Sequence, residues 1–172
     1  MSITKYWLDS KNRIVKTSLS WDNFAEDNEA CMSAYSSHVI GKSLFSFISG
    51  DTTRMFIESL IQKVRLTNQN FETEYRCDSP DTMRFMRMNI VPLGEGQLMI
   101  KNTLVKEAPF KKRAKIQWSE TESVARRCSI CNQLNHQGTW VDPSEIVFDL
   151  DVIPIIHTVC EDCRDMANKK TA

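Results

Sequence analysis

Residues 51–78 read DTTRMFIESLIQKVRLTNQNFETEYRCD, and the spacing of their apolar side chains changes partway along. Phe56, Ile57, Leu60, Ile61 and Val64 recur at helical intervals, which predicts a helix over Thr52–Leu66 with Asp51 as its cap. Asn68-Gln69-Asn70 stops that helix. From Phe71 the period becomes two: Phe71, Thr73, Tyr75 and Cys77 share one face, while Glu72, Glu74, Arg76 and Asp78 share the other. That alternation marks a half-buried strand.

Working outward, Ser79-Pro80-Asp81 turns the chain into a second strand, Met83–Val91, with Met86, Met88 and Ile90 on one side. Pro92 to Gly96 turns it again before Gln97–Val105. On the N-terminal side, Lys5–Asp9 and Arg13–Ser18 read as a hairpin around Asp9-Ser10-Lys11-Asn12. Trp21 to Ala30 reads as a short helix, and Ser33 to Phe47 as short helical turns. Two strands, several helices and three strands imply an α+β domain over residues 1–106, a five-stranded antiparallel sheet with helices on one face.

Residues 107–127 read as a basic linker, with the run Lys111-Lys112-Arg113-Ala114-Lys115. A helix is expected over Ser119–Arg126, because Ser119 and Glu122 form a capping-box pattern. The chain has 172 residues and a formal net charge of zero, but the charge is uneven. Residues 1–106 hold 13 basic and 12 acidic side chains, 107–127 hold 6 and 3, and 128–172 hold 3 and 7. Six cysteines are too few for a secreted disulfide scaffold. Lys5, Asp9, Lys11, Arg13 and Lys16 rule out a signal peptide within the first twenty residues. No stretch reaches the ~18–20 apolar residues of a membrane span. A cytoplasmic protein with no membrane contact is expected, and in a reducing cytosol paired cysteines point to metal or redox chemistry.

The strongest chemical signal is Cys128-Ser129-Ile130-Cys131 with Cys160-Glu161-Asp162-Cys163. The two CxxC turns are separated by 28 residues and can bring four thiolates to the corners of a tetrahedron, the arrangement of a structural Zn²⁺ site. A piece of about 45 residues rarely folds alone, and a metal would stabilise residues 128–172 as a small zinc-ribbon-like domain. Four cysteines close the coordination shell, so a structural ion is expected and a catalytic one is not. An iron–sulfur cluster and four unconnected buried cysteines are the alternatives; a redox dithiol would need no matching second pair. His157, three residues before Cys160, is an alternate ligand or a neighbour that orients the site, and His136 has a weaker claim.

The strand and helix order, with His38-Val39-Ile40-Gly41-Lys42-Ser43-Leu44 leading to Phe47-Ile48, resembles a PAS domain. The segments Trp21-Asp22-Asn23-Phe24-Ala25, Phe47-Ile48-Ser49-Gly50-Asp51-Thr52-Thr53-Arg54, Val64-Arg65 and Arg76-Cys77-Asp78-Ser79-Pro80, with Arg84, resemble more particularly a group of bacterial PAS-like proteins. Members of that group end in Cys-x2-Cys, a Trp and His-x2-Cys-x2-Cys, and Cys128, Cys131, Trp140, His157, Cys160 and Cys163 match those positions. The resemblance implies a PAS fold, a cavity beside the helix that follows the Ile40-Gly41-Lys42 segment, and a sensory or scaffolding role. It implies no reaction.

Phe71, Tyr75, Cys77, Met86 and Met88 are the candidate cavity residues. Neither flavin nor haem is expected: the flavin-type Asn-Cys-Arg-Phe motif is missing around Cys31, and the Thr52–Leu66 helix holds no His. Arg76 and Arg84 are expected to pair with Asp78 or Asp81 and pin the turn at Pro80. No nucleophile–base pair, phosphate loop or catalytic carboxylate pair is present, so a non-catalytic sensor or adaptor is expected. Its partner would be a protein or a second copy of the chain as a homodimer, and its ligand a small molecule in the PAS cavity. The alternative is a nucleic-acid-binding zinc ribbon that uses the basic linker with Trp118 and Arg126-Arg127. The acidic tail opposes it, because four thiolates around Zn²⁺ would add about −2 to residues 128–172.

Overall fold

The structure is a computed structural model that describes residues 3–27, 31–78, 82–110, 116–118, 125–145 and 153–169. Two antiparallel strands come first, β1 (Ile3–Leu8) and β2 (Ile14–Thr17). The Asp9 carboxylate accepts from the amides of Lys11 and Arg13 and so fixes the turn between them. Helix α1 (Ser20–Asp27) follows, then a 3-10 turn over Met32–Ala34 and the single-turn α2 (Ser36–Val39). The expected end of the first helix, residues 28–30, lies outside the described residues. The Trp21 indole donates to the Ala34 carbonyl at 2.8 Å and meets the Tyr6 ring edge-on, which seats α1 against β1.

A second 3-10 turn, Leu44–Phe47, leads to α3 (Asp51–Thr67). Gly50, at φ +83°, occupies the N-cap, so Asp51 is not the cap; it lies inside the first turn and pairs with Arg54. Asn68 adopts the left-handed conformation and its amide returns to the Val64 carbonyl, which ends the helix where the sequence places its end.

The period-two segment forms β3 (Phe71–Arg76), followed by β4 (Thr82–Gly94) and β5 (Gln97–Pro109). The sheet order is β2-β1-β5-β4-β3, with every pairing antiparallel. Register aligns Tyr6, Ile100, Ile90 and Phe71 in one row across the sheet, and Thr4, Asn102, Met88 and Thr73 in the next. Leu60, Ile61 and Val64 of α3 bury against Leu8, Leu98, Ile90 and Ile100 of this face. The other face carries polar pairs, such as Arg87 with Glu72 and Glu74. The α+β class and the five-stranded antiparallel sheet with helices on one face are as expected.

Both later strands outrun their sequence limits. Pro92 continues β4 across a register irregularity, and β5 pairs with β4 as far as Pro109. The stretch read as a linker therefore begins inside the first sheet. It also holds β6 (Ile116–Trp118) and most of β7 (Ala125–Cys128). Ala125 and Arg126 are strand, not helix, because β7 pairs with two neighbours whose hydrogen bonds outweigh a local capping pattern. Lys111–Lys115 and the rest of the expected helix, residues 119–124, lie outside the described residues, as does the Ser79-Pro80-Asp81 turn.

The second sheet continues with β8 (Leu134–His136), β9 (Thr139–Val141) and β10 (Ile153–Thr158), and α4 (Glu161–Lys169) closes the chain. Its order is β6-β10-β7-β8-β9, and β10 runs parallel to both of its neighbours. Ala167 of α4 packs into the core of the first sheet, so the two parts share buried surface. Among the described residues no helix is long and apolar enough to cross a membrane.

Candidate metal centre and adjoining cavity

Cys128 closes β7, Cys131 follows one turn later, Cys160 lies just past β10, and Cys163 sits in the first turn of α4. The parallel pairing of β10 with β7, which aligns Thr158 with Cys128, brings the two CxxC turns together. All four Sγ atoms lie within 4.8 Å of one another, and Cys128, Cys160 and Cys163 are buried.

A tetrahedral ion with Zn–S bonds of ~2.3 Å requires sulfur separations of ~3.8 Å. The Cys131–Cys160 separation is 3.8 Å. The amides of Ile130 and Cys160 both donate to Cys128 Sγ at 3.4 Å, the kind of bond that stabilises a bound thiolate. Asn132, at φ 62°, lets the first turn close, with its amide on the Cys128 carbonyl. The donor set thus fits a metal ion.

Electrostatics point the same way. The thiols of Cys131 and Cys163 aim at Cys128 and pull its pKa well below the thiol range. Hydrogen bonding to Cys128 in turn pushes Cys131 up to about 12 and pushes Cys163 far up. Without a cation the charge on Cys128 opposes ionisation of Cys131 and Cys163, whereas a divalent ion offsets that repulsion. A bound ion would supply a cross-link here, because four sulfurs leave it no open position.

His157 lies outside this group of four. Its Nδ1 is 3.3 Å from Ser129 Oγ, which is itself 2.8 Å from Thr53 Oγ1 of α3. Burial lowers the His157 pKa, and the charge of Arg127 adds to the effect. Gly50 meets this strand closely: a Cβ there would stand 2.8 Å from His157 Cβ and 3.0 Å from its carbonyl oxygen. Nothing is described for the His136 side chain.

A charged clamp joins the centre to the first sheet. The Arg76 amide donates to the Ile130 carbonyl at 2.7 Å, extending the β3 edge onto the first CxxC turn. Its guanidinium binds Asp78 at 2.8 Å and also Asp142, just beyond β9. The Asn132 amide group donates to Asp78 at 2.9 Å. The alternation of β3 stops at Tyr75. Arg76, expected on the outer face, turns inward to these carboxylates, and Cys77, expected inside, is exposed. Arg76 pairs with Asp78 as expected, while Arg84 pairs with Glu107 and uses its amide to bind Asp78.

Beside the clamp lies a cavity of about 380 Å³. The sheet contributes Tyr6, Tyr75, Met88 and Asn102 to it. Leu44, Phe47, Ile48 and Ser49 close one side, Thr53 and Ile57 of α3 another, and Ser129, Ile130 and His157 a third. Of the five candidates, Tyr75 and Met88 line it. Phe71 and Met86 are buried core side chains and do not, and Cys77 faces away. Asn102 was legible in principle, because Leu98, Ile100, Asn102 and Leu104 alternate and put one amide on an apolar face. It accepts from the Tyr75 hydroxyl at 3.0 Å. Ser129, Ile130 and Thr53 carried no such signal, since their place depends on how the two sheets meet.

No family model and no curated protein matches the chain. Similar solved structures include the PAS domain of the RpfR quorum-sensing receptor from Cronobacter turicensis. In complex with C12:0 it has a TM-score of 0.47 at 13% identity over 62% of this chain and 96% of that one. In complex with BDSF the TM-score is 0.46, at the same identity and coverage. A domain of an HTR-like protein from Haloarcula marismortui has a TM-score of 0.45 at 8% identity, over 62% of this chain and 100% of that one. The strand order and register, not these distant likenesses, define the PAS-like α+β fold of the first sheet.

Proposed function

We propose that the chain is a non-catalytic PAS-type sensor or adaptor of signalling, which binds a small molecule and holds its C-terminal part in place with a structural zinc ion. The cavity of about 380 Å³ carries this reading. It falls in the size range of small-molecule sites and combines apolar walls with a few convergent polar groups, the Tyr75–Asn102 pair and the Thr53–Ser129–His157 chain. Zinc is favoured among metals by the four-thiolate donor set and the tetrahedral spacing. An output through protein contact, to a partner or to a second copy of the chain, completes the reading.

Native mass spectrometry of the full chain, followed by organic extraction of the bound fraction, tests it. A small molecule released in roughly one-to-one proportion supports the sensor. A chain purified from its natural host that carries no small molecule, and whose thermal transition no compound in a metabolite panel shifts, argues against it.

A further inference from the structure

Ser129 and Ile130, the two inner residues of the first CxxC turn, form one wall of the cavity. Their placement follows from the metal centre. The Ile130 amide donates to Cys128 Sγ, the Ser129 amide donates to the Thr158 carbonyl at 2.8 Å, and the Ile130 carbonyl accepts from Arg76. The four sulfurs that a metal would hold therefore also set the position of this wall. Among the described residues that line the cavity there is no Asp, Glu, Lys or Arg. His157 is in that lining too, but burial and the charge of Arg127 favour its neutral form. A buried charge on a ligand would therefore find no fixed counter-charge there and would lose its hydration on entry. Apolar walls from Ile57, Met88 and Ile130 suit an apolar body, and Asn102 and Ser129 offer hydrogen bonds to a neutral head.

From this geometry, and resting on the sensor reading above, we propose that the cavity takes an uncharged small molecule with an apolar body and one hydrogen-bonding group, and that its affinity is gated by the metal centre. Linkage makes the gate reciprocal, so the ligand strengthens metal binding by the factor by which metal strengthens ligand binding. The chain would then report a small molecule only while its metal is in place.

The test is calorimetric titration of the full chain with 1-octanol, octanoate and octylamine, each before chelation, after chelation and after zinc is restored. The expected result is 1-octanol binding to the metal-loaded chain at one site, with both charged analogues about tenfold weaker or more. Chelation should weaken 1-octanol about tenfold or abolish binding, and zinc should restore it. Ile130→Ala removes apolar wall and should weaken binding about tenfold with metal content unchanged. Asn102→Leu, which lies on the sheet away from the sulfurs, should weaken it by a similar factor of about ten.

Octanoate or octylamine binding as tightly as 1-octanol overturns the ligand class. Equal binding by loaded and stripped chains overturns the gate and leaves the sensor reading standing, whereas no loss in either variant puts the probe outside this cavity and overturns the inference. If none of the three probes binds the loaded chain, the inference fails. If in addition the host-purified chain carries no small molecule, the sensor reading fails with it.

Discussion

Among the described residues both sheets have five strands, but β4 and β5 run for 13 residues each, whereas β8 and β9 run for three and β6 is described over three. In the first sheet the strands carry their own apolar rows, and α3 covers them with Leu60, Ile61 and Val64. In the second, the buried apolar cluster among the described residues consists of Ala125, Leu134, Ile153 and Ile155. The four cysteines sit in a separate cluster against Phe56, Ile57 and Tyr75 of the first part. A sheet with long alternating strands draws its stability from burial. One whose described strands are mostly three or four residues long needs a cross-link, and its core is completed by the neighbour on which it docks.

Four experiments sharpen or break this contrast, and metal removal has the largest expected effect. Structural zinc contributes ~10–16 kcal/mol to the folding of small zinc-finger peptides near pH 7. Chelation, or Cys163→Ser, should abolish amide protection across β7 to β10 while β1 to β5 stay protected, as read by hydrogen exchange with mass spectrometry. Equal loss in both sheets would break the distinction.

The clamp comes next. The Arg76 side chain is 8% exposed and Asp78 6%, so Arg76→Met takes the guanidinium from Asp142 and leaves Asp78 with the longer Arg127 pair at 3.9 Å. Removing one partner of a buried pair costs about 3–5 kcal/mol. Urea unfolding should show that loss, and metal should dissociate faster because Ile130 loses its anchored neighbour. Gly50→Ala should cost about 1–3 kcal/mol, because it combines a positive φ with a Cβ contact of 2.8 Å to His157. A neutral result would mean that α3 and β10 do not meet as closely as described.

The smallest effect is a pH dependence. Burial works to raise the Asp142 pKa, but the side-chain and backbone hydrogen bonds of Ser144, then Arg76, together lower it. The folded value lies below the unfolded one of about 4, so the contribution of Asp142 is complete above about pH 4 and is lost as pH falls through the folded value. The gap in urea midpoint between wild type and Asp142→Asn should therefore narrow below about pH 4. A gap constant with pH would remove Asp142 from the clamp.

The same contrast explains what could be read from the sequence. Periodicity is local, so α3, β3 and the inward rows of β4 were legible residue by residue, and the spacing of the two CxxC pairs announced their meeting. Tyr75 and Met88 reached the cavity because alternation holds along their strands. Alternation failed at Arg76 and Cys77, where pairing with Ile130 and attraction to Asp142 take over from the strand pattern. Strand β6 was hidden for the same reason, since its partner β10 lies 37 residues on. Strand β7 shares that partner at 30 residues, and its nearer pairing with β8 joins strands too short to show a period. The cavity wall at Ser129 and Ile130 belongs to this class, since it exists only once the two parts have docked.

The most direct measurement is the metal content of the folded full chain by native mass spectrometry, with Cys160→Ser beside it. One divalent ion per wild-type chain and none in the variant, with loss of protection from β7 to β10, is what the account expects. A metal-free wild-type chain that keeps β7 to β10 protected would contradict it.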